Sequence, residues 1–298
     1  MTALQDILVV LDDTGRSDIR LAIAGRLAQK HNAHLTGISA LDLVTPARAT
    51  PRFHGYQAID TWGPSHPMTG NDARVHEQFS LERGAGEITE EIQASFRMYL
   101  RTNGLRGDWR VTDGRSSEAF AYQARHADLV ILGQVDPDHP PPPAGRQLAE
   151  DILMTAGRPV LVIPYAGQFE TMGSRVLIGW NNSREAARAV NDALPLLTQA
   201  GSVTVLEVFS SGRMPATHEG TGADIIRHLA HHGIKAETAR TVMGSISVSD
   251  ALLGYAADIS ADLLVIGGYG HSRLRELILG GVTRELLHHM TLPVLMSH

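Results

Sequence analysis

Short apolar runs alternate with longer stretches of mixed polar and apolar residues along the whole chain. Ile7-Leu8-Val9-Val10-Leu11, Leu129-Val130-Ile131-Leu132, Val160-Leu161-Val162-Ile163, Val176-Leu177-Ile178 and Leu263-Leu264-Val265-Ile266 are the clearest of these runs. Each is short, continuous and rich in β-branched residues, which is the pattern of a strand buried on both faces. In the C-terminal half the pattern predicts strands near 175–181, 202–209, 235–243, 262–267 and 293–297, with helices near 183–199, 219–233, 247–260 and 281–290. Strands that alternate with amphipathic helices imply a parallel sheet covered on both sides, an α/β doubly wound, Rossmann-like or flavodoxin-like architecture. Ligands in such sheets sit beyond the C-terminal strand ends, where the strand order reverses.

The pattern also repeats. Ile7-Leu8-Val9-Val10-Leu11-Asp12 matches Val176-Leu177-Ile178-Gly179-Trp180-Asn181 at an offset of 169, while Ala127-Asp128-Leu129-Val130-Ile131-Leu132-Gly133 matches Ala261-Asp262-Leu263-Leu264-Val265-Ile266-Gly267 at 134. Pro159-Val160-Leu161-Val162 matches Pro293-Val294-Leu295-Met296, also at 134. Two domains are therefore expected, 1–168 and 172–298, each β-α-β-α-β-α-β-α-β with a five-stranded parallel sheet. The boundary falls near 167–174, and the first copy carries about 35 extra residues, the difference between the offsets. That insertion lies near 42–82 and holds Pro46, Pro51, Pro64 and Pro67 with Phe53, Tyr56 and Trp62. It reads as a long surface loop, or as a lid or partner-binding element.

Composition narrows the function classes. Its 298 residues suit two domains, and a net charge of −6 without a basic stripe argues against nucleic acid or an anionic membrane as partner. There is no cysteine, which removes disulfides and thiolate metal sites. Neither a signal-peptide pattern nor an apolar run long enough to span a membrane is seen, so a cytoplasmic protein is expected.

The candidate chemistry sits after the fourth strand of the second copy. There Gly267-Gly268-Tyr269-Gly270 is followed, nine residues on, by Gly280-Gly281-Val282-Thr283 at the expected start of a helix. Glycines allow close backbone approach to a ligand, and a helix start offers unpaired N–H groups and the positive end of a dipole, which together favour a phosphate. Asn181 and Gly267 both end strands, so both can face the crevice.

This Gly-x2-Gly-x9-Gly pattern, set in a duplicated α/β fold, resembles the nucleotide loop of the universal stress protein family. The resemblance implies that domains pair through their fifth strands, here within one chain or further as a homodimer. It also implies an adenine nucleotide as ligand: ATP, or AMP or ADP, with Mg as an accompanying ion. Asn181, Val208, Ile266, Gly267, Gly268, Tyr269 and Gly270 would then surround the nucleoside and phosphates. Gly280, Gly281, Val282 and Thr283 would grip phosphates, and His271 and Arg273 would add positive charge. The chain departs from the family at Gly281, where a Ser or Thr is usual, and at Asn181, where an Asp is usual.

The first copy lacks this loop. From Gly133 to Pro159 and from Gly267 to Pro293 the spacing is 26 residues, so Asp136 stands at the place of Gly270, Arg146 at that of Gly280 and Gln147 at that of Gly281. Asp136-Pro137-Asp138-His139-Pro140-Pro141-Pro142-Pro143 brings carboxylates and residues without an N–H. A nucleotide triphosphate is therefore not expected there.

Other constellations carry less. His228 and His232 are spaced for one helix face, but a zinc site needs further ligands, so they read as solvated helix surface. Asp12-Asp13 resembles half of a receiver-domain acidic pocket, but its other members are missing; the strand-end turn with a helix cap at Thr14 or Ser17 is the simpler reading. No catalytic set appears. For a slow ATP hydrolase only Glu276 and Glu285 stand nearby, and both read as helix surface. The leading expectation is a tandem universal stress protein that regulates or protects and binds ATP in its second domain; a nucleotide-free interaction protein, whose protein partner uses the insertion or crevice, is the alternative.

Overall fold

In the computed structural model the described residues are 3–40, 70–112, 117–141, 145–210, 222–269 and 281–298. The first half runs β1 (Asp6–Val10), α1 (Ser17–His31), β2 (His34–Ala40), α2 (Gly70–Asn103), β3 (Gly107–Thr112), α3 (Ser117–Ala124), β4 (Leu129–Gly133), α4 (Leu148–Thr155) and β5 (Val160–Ile163). The second runs β6 (Arg175–Gly179), α5 (Arg184–Leu197), β7 (Ser202–Ser210), α6 (Gly222–His231), β8 (Ala236–Met243), α7 (Val248–Asp258), β9 (Leu263–Gly267), α8 (Gly281–His289) and β10 (Val294–Ser297). Among the described residues no helix is long and apolar enough to cross a membrane.

The strands form one sheet of ten in the order β3-β2-β1-β4-β5-β10-β9-β6-β7-β8. Neighbours are parallel except β5 and β10, which meet antiparallel with Leu161 opposite Leu295. The fifth strands of the two halves are thus the seam of a single continuous sheet. Alternate residues face opposite sides. Ile7, Val9 and Leu11 join a core with Phe96, Leu100, Val190 and Leu229, under α1, α2, α5 and α6. Leu8 and Val10 join the other core with Phe120, Ile152, Leu252 and Leu286, under α3, α4, α7 and α8. Burial of an aliphatic side chain contributes about 1.5–3 kcal/mol, so strands with no polar face are stable only between two helical layers.

Local sequence explains several boundaries. Ser183 and Ser247 cap α5 and α7, each hydroxyl accepting a backbone N–H at 3.1 Å, from Ala186 and Asp250. Asn32 closes α1 in the left-handed region at φ 55°.

Two expectations need correction. The insertion is not a loop throughout: from Gly70 onward it belongs to the 34-residue helix α2, whereas residues 42–69 lie outside the described residues. The last proline of the insertion is Pro67, so nothing sterically bars a helix beyond it. The cap of α1 is neither Thr14 nor Ser17. Arg16 holds the N-cap position without a side-chain bond, and the Ser17 hydroxyl turns back to the Asp12 carbonyl at 2.7 Å.

Candidate functional site

Strand order reverses beside β1 in the first half and beside β6 in the second, so the β1/β4 and β6/β9 gaps open crevices at the C-terminal strand ends. The second-half crevice is a cavity of about 290 Å³, at the small end of ligand cavities. Asn181, Val208, Ile266, Gly267, Tyr269, Gly281, Val282 and Thr283 all line it, together with Trp180, Ser183, Leu206, Val248 and Leu252. None of the described lining residues carries a formal charge. Gly270, His271, Arg273 and Gly280 lie outside the described residues.

Gly267 is needed for packing: a side chain there would collide with the backbone of Glu185 and Ala186 at the start of α5. Gly268 does not line the crevice. Its N–H donates to the Ser297 carbonyl at 2.8 Å, and a side chain on it would run into Leu153 of α4. The Gly268 carbonyl accepts from His298 Nδ1 at 3.1 Å. Gly268 therefore fastens the loop to β10 and the first half.

Tyr269 adopts φ 55°, a left-handed conformation rare for an aromatic residue and typical of over-determined functional positions. Its N–H donates to the Thr283 hydroxyl at 3.1 Å, which ties the end of β9 to the first turn of α8. Thr283 is 3% exposed and lines the crevice, and among the described residues its hydroxyl donates to no partner. The Tyr269 hydroxyl is buried with no partner among the described residues. Burial, and then the Glu150 carboxylate from α4, push this phenol far above its ordinary pKa.

Asn181 folds over its own turn, its Oδ1 accepting from the Ser183 N–H at 3.1 Å, while its amide N–H groups make no bond among the described residues. Glu185, which sequence reasoning passed over, is 5% exposed at the start of α5. Burial alone would raise its pKa, but the hydrogen bond from Arg184 holds it below the usual carboxylate range. Glu285 is not free helix surface: it is half-buried and accepts a hydrogen bond from the buried Ser249 hydroxyl. Glu276 lies outside the described residues. His228 and His232 pack edge to face at 4.8 Å, with His228 Nε2 buried, so His228 is not simply solvated. Among the described residues no group of three or more His, Cys, Asp or Glu is placed to hold a metal.

The first-half crevice differs. It is a cavity of about 770 Å³ whose floor is an ion pair, Arg20 to Asp12 at 2.7 Å. Burial would raise the Asp12 carboxyl, but the Arg20 guanidinium and two bonds from Thr14 hold it below the usual range. Sequence reasoning missed Arg20; the only signal was its place eight residues after Asp12, in the first turn of the helix that follows that strand end. Gln134 at the end of β4 bridges the halves, donating to the His288 carbonyl at 3.0 Å and accepting from the Tyr165 N–H at 3.1 Å.

Residues 172–298 match the model of the universal stress protein family. The second half is thus similar to universal stress protein domains. A universal stress protein of Synechocystis sp. is 28% identical over 147 residues, and the match covers 49% of either chain, so the chain spans about half the length of this curated relative. Among solved structures, a universal stress protein from Archaeoglobus fulgidus DSM 4304 superposes with a TM-score of 0.67 at 14% identity, covering 98% of this chain and 95% of that one. A functionally unknown protein from Pseudomonas aeruginosa PAO1 gives 0.54 at 16% identity, covering 99% and 92%. At these identities the likeness is one of fold. In the second half the β6/β9 crevice is where this fold gathers strand ends and a helix start.

Proposed function

We propose that the chain is a tandem universal stress protein whose second domain, 172–298, binds an adenine nucleotide, and whose first domain, 1–168, is a degenerate copy. The observation that carries this reading is the β6/β9 crevice, which combines an uncharged lining with the first turn of α8. Apolar Val208, Leu252 and Ile266 suit a flat base, and Asn181 offers amide donors. The N–H groups of Gly281, Val282 and Thr283 are the unpaired donors of a helix start, and no carboxylate among the described lining opposes a phosphate. ATP is the ligand that fits the motif best, with Mg as counter-ion, His271 and Arg273 supplying charge and Gly270 and Gly280 supplying backbone approach. AMP and ADP use the same contacts. Bound nucleotide links the end of β9 to α8 and so alters a surface that a protein partner reads, in a regulatory or protective role in the cytoplasm.

The test is what accompanies the protein through mild purification. Denaturation followed by mass spectrometry should release an adenine nucleotide near one per chain. A Gly270→Asp substitution should abolish the thermal stabilisation given by Mg-ATP; unchanged stabilisation would sink the reading. The interaction-protein alternative draws on Gly281, which lacks a hydroxyl, and on Asn181, whose oxygen is already bonded. A chain that is empty and indifferent to millimolar Mg-ATP would establish that alternative.

A further inference from the structure

The first-half crevice is the larger of the two cavities, and nucleotide chemistry does not account for it. Its floor is unusual. Arg20 is 3% exposed, yet it lines the cavity. Its Nε donates to the Val10 carbonyl at 3.1 Å, and its NH2 donates to Ser17 at 2.8 Å and Asp12 at 2.7 Å. NH1 makes no hydrogen bond among the described residues, and it is not sealed off from the cavity. It lies over Gly133, in the space a side chain there would fill, at the mouth of the β1/β4 gap. The guanidinium is held in place through Nε and NH2 while NH1 presents two unused N–H donors to the cavity, where an acceptor can meet them.

The charge around that donor decides what completes it. Asp12 already neutralises Arg20, and its Oδ1 is occupied by the Thr14 N–H at 3.0 Å and the Thr14 hydroxyl at 2.5 Å. The lining holds three further carboxylates, Asp13, Asp136 and Glu150, against two further arginines, Arg16 and Arg146. Arg284 pairs with Glu150 at 3.9 Å, so the formal charges about the crevice balance and an anion gains no net attraction there. The walls between are apolar, formed by Val10, Leu132, Leu148, Val162 and Leu287.

We infer that the first-half crevice is a second ligand site, which takes an uncharged, oxygen-bearing small molecule whose carbonyl or hydroxyl accepts from Arg20 NH1. The second domain cannot offer this contact, since Ala189 stands at the position of Arg20. The site is independent of nucleotide binding in the β6/β9 crevice.

Uridine is a suitable probe: it is uncharged and carries carbonyl and hydroxyl oxygens on and beside a flat ring. Calorimetric titration of the full chain should give one saturable site. A co-crystal structure should place a uridine oxygen on Arg20 in the first-half crevice. Uridine 5′-monophosphate should bind about tenfold more weakly, because it brings a charge to be desolvated into a crevice whose own charges already balance. The double variant Asp12→Asn/Arg20→Met removes the donor without stranding a charge and should weaken uridine about tenfold or more. Ala149→Phe fills the cavity from α4 without touching the ion pair and should act the same way. Absence of saturable binding up to millimolar uridine, density in the second-half crevice instead, tighter binding of the monophosphate, or full affinity in a folded double variant or in Ala149→Phe would each overturn the assignment.

Discussion

At the end of β9, Gly267 lies against the backbone of Glu185 and Ala186; at the end of β4, Gly133 lies under the guanidinium of Arg20. The two glycines hold equivalent places, 26 residues before equivalent prolines, and both are required by packing. What fills the space differs. In the second half a helix start approaches the strand end and leaves a small crevice whose described lining is uncharged. In the first half an arginine–aspartate pair lies across the strand end beneath a larger, charge-lined one. The turns after β1 and β6 stay alike, since Asp12 and Asn181 each accept the N–H two residues on. The two halves share this backbone geometry while their side-chain chemistry differs.

That comparison can be broken most severely at the ion pair. Arg20→Met leaves Asp12 without its partner, and breaking such a pair costs about 3–5 kcal/mol; Asp12→Asn/Arg20→Met should recover most of it, as read by urea unfolding. The corresponding position, Ala189, has no charge to lose. The folded pKa of Asp12 lies below its unfolded value. Its contribution is therefore full above about pH 4 and lost as pH falls through the folded value, and the double variant should lack that acid limb.

Next come the glycines themselves. Gly267→Ala meets backbone that cannot turn aside and should cost about 3 kcal/mol, while Gly133→Ala meets a side chain that can shift and should cost about 1 kcal/mol. Equal losses in thermal unfolding would show that Arg20 is as fixed as a helix backbone.

Gly281→Ser sharpens the comparison from the ligand side. Among the described residues nothing stands within 4 Å of a Cβ placed there, so they leave room for a serine. It should tighten Mg-ATP several-fold, about 1 kcal/mol, with the unliganded melting temperature nearly unchanged. No gain in affinity would mean that phosphate does not reach the first turn of α8.

The smallest effect concerns His31, 7% exposed with both ring nitrogens unpartnered among the described residues, where the second half has Ala200. Burial, and then Lys30, lower its pKa. Below about pH 6.5 the unfolded chain takes up a proton that the folded chain refuses, so stability falls as the pH drops through that region. His31→Leu should flatten this slope, and an unchanged slope would assign the sensitivity elsewhere.

Much of this was legible in the sequence. Each strand expected in the second half is present within two residues at either end, because runs such as Leu263-Leu264-Val265-Ile266 admit no other stable placement. Eight of the thirteen site residues expected from the sequence line the β6/β9 crevice. Gly268 escaped that logic because glycine carries no mark of which partner it approaches; Leu153 and Ser297, distant in sequence, decided it. Helix α2 was obscured by a proline-rich stretch just before it, since local breakers say where a helix cannot be and not where it resumes.

The sequence alone determined what is local or periodic: the alternation of strands and helices, the repeat, the glycine motif after the fourth strand of the second half, and the hostile replacements in the first. Tertiary structure decided what depends on contacts between distant residues. It joined β5 to β10 into one sheet, turned Thr283 toward the Tyr269 N–H, occupied Glu285 with Ser249, and set Arg20 on Asp12 beneath Gly133. Periodicity reports which face of an element is apolar, whereas a polar side chain takes its partner from whatever the fold brings within about 3 Å, and that is a property of packing rather than of spacing along the chain.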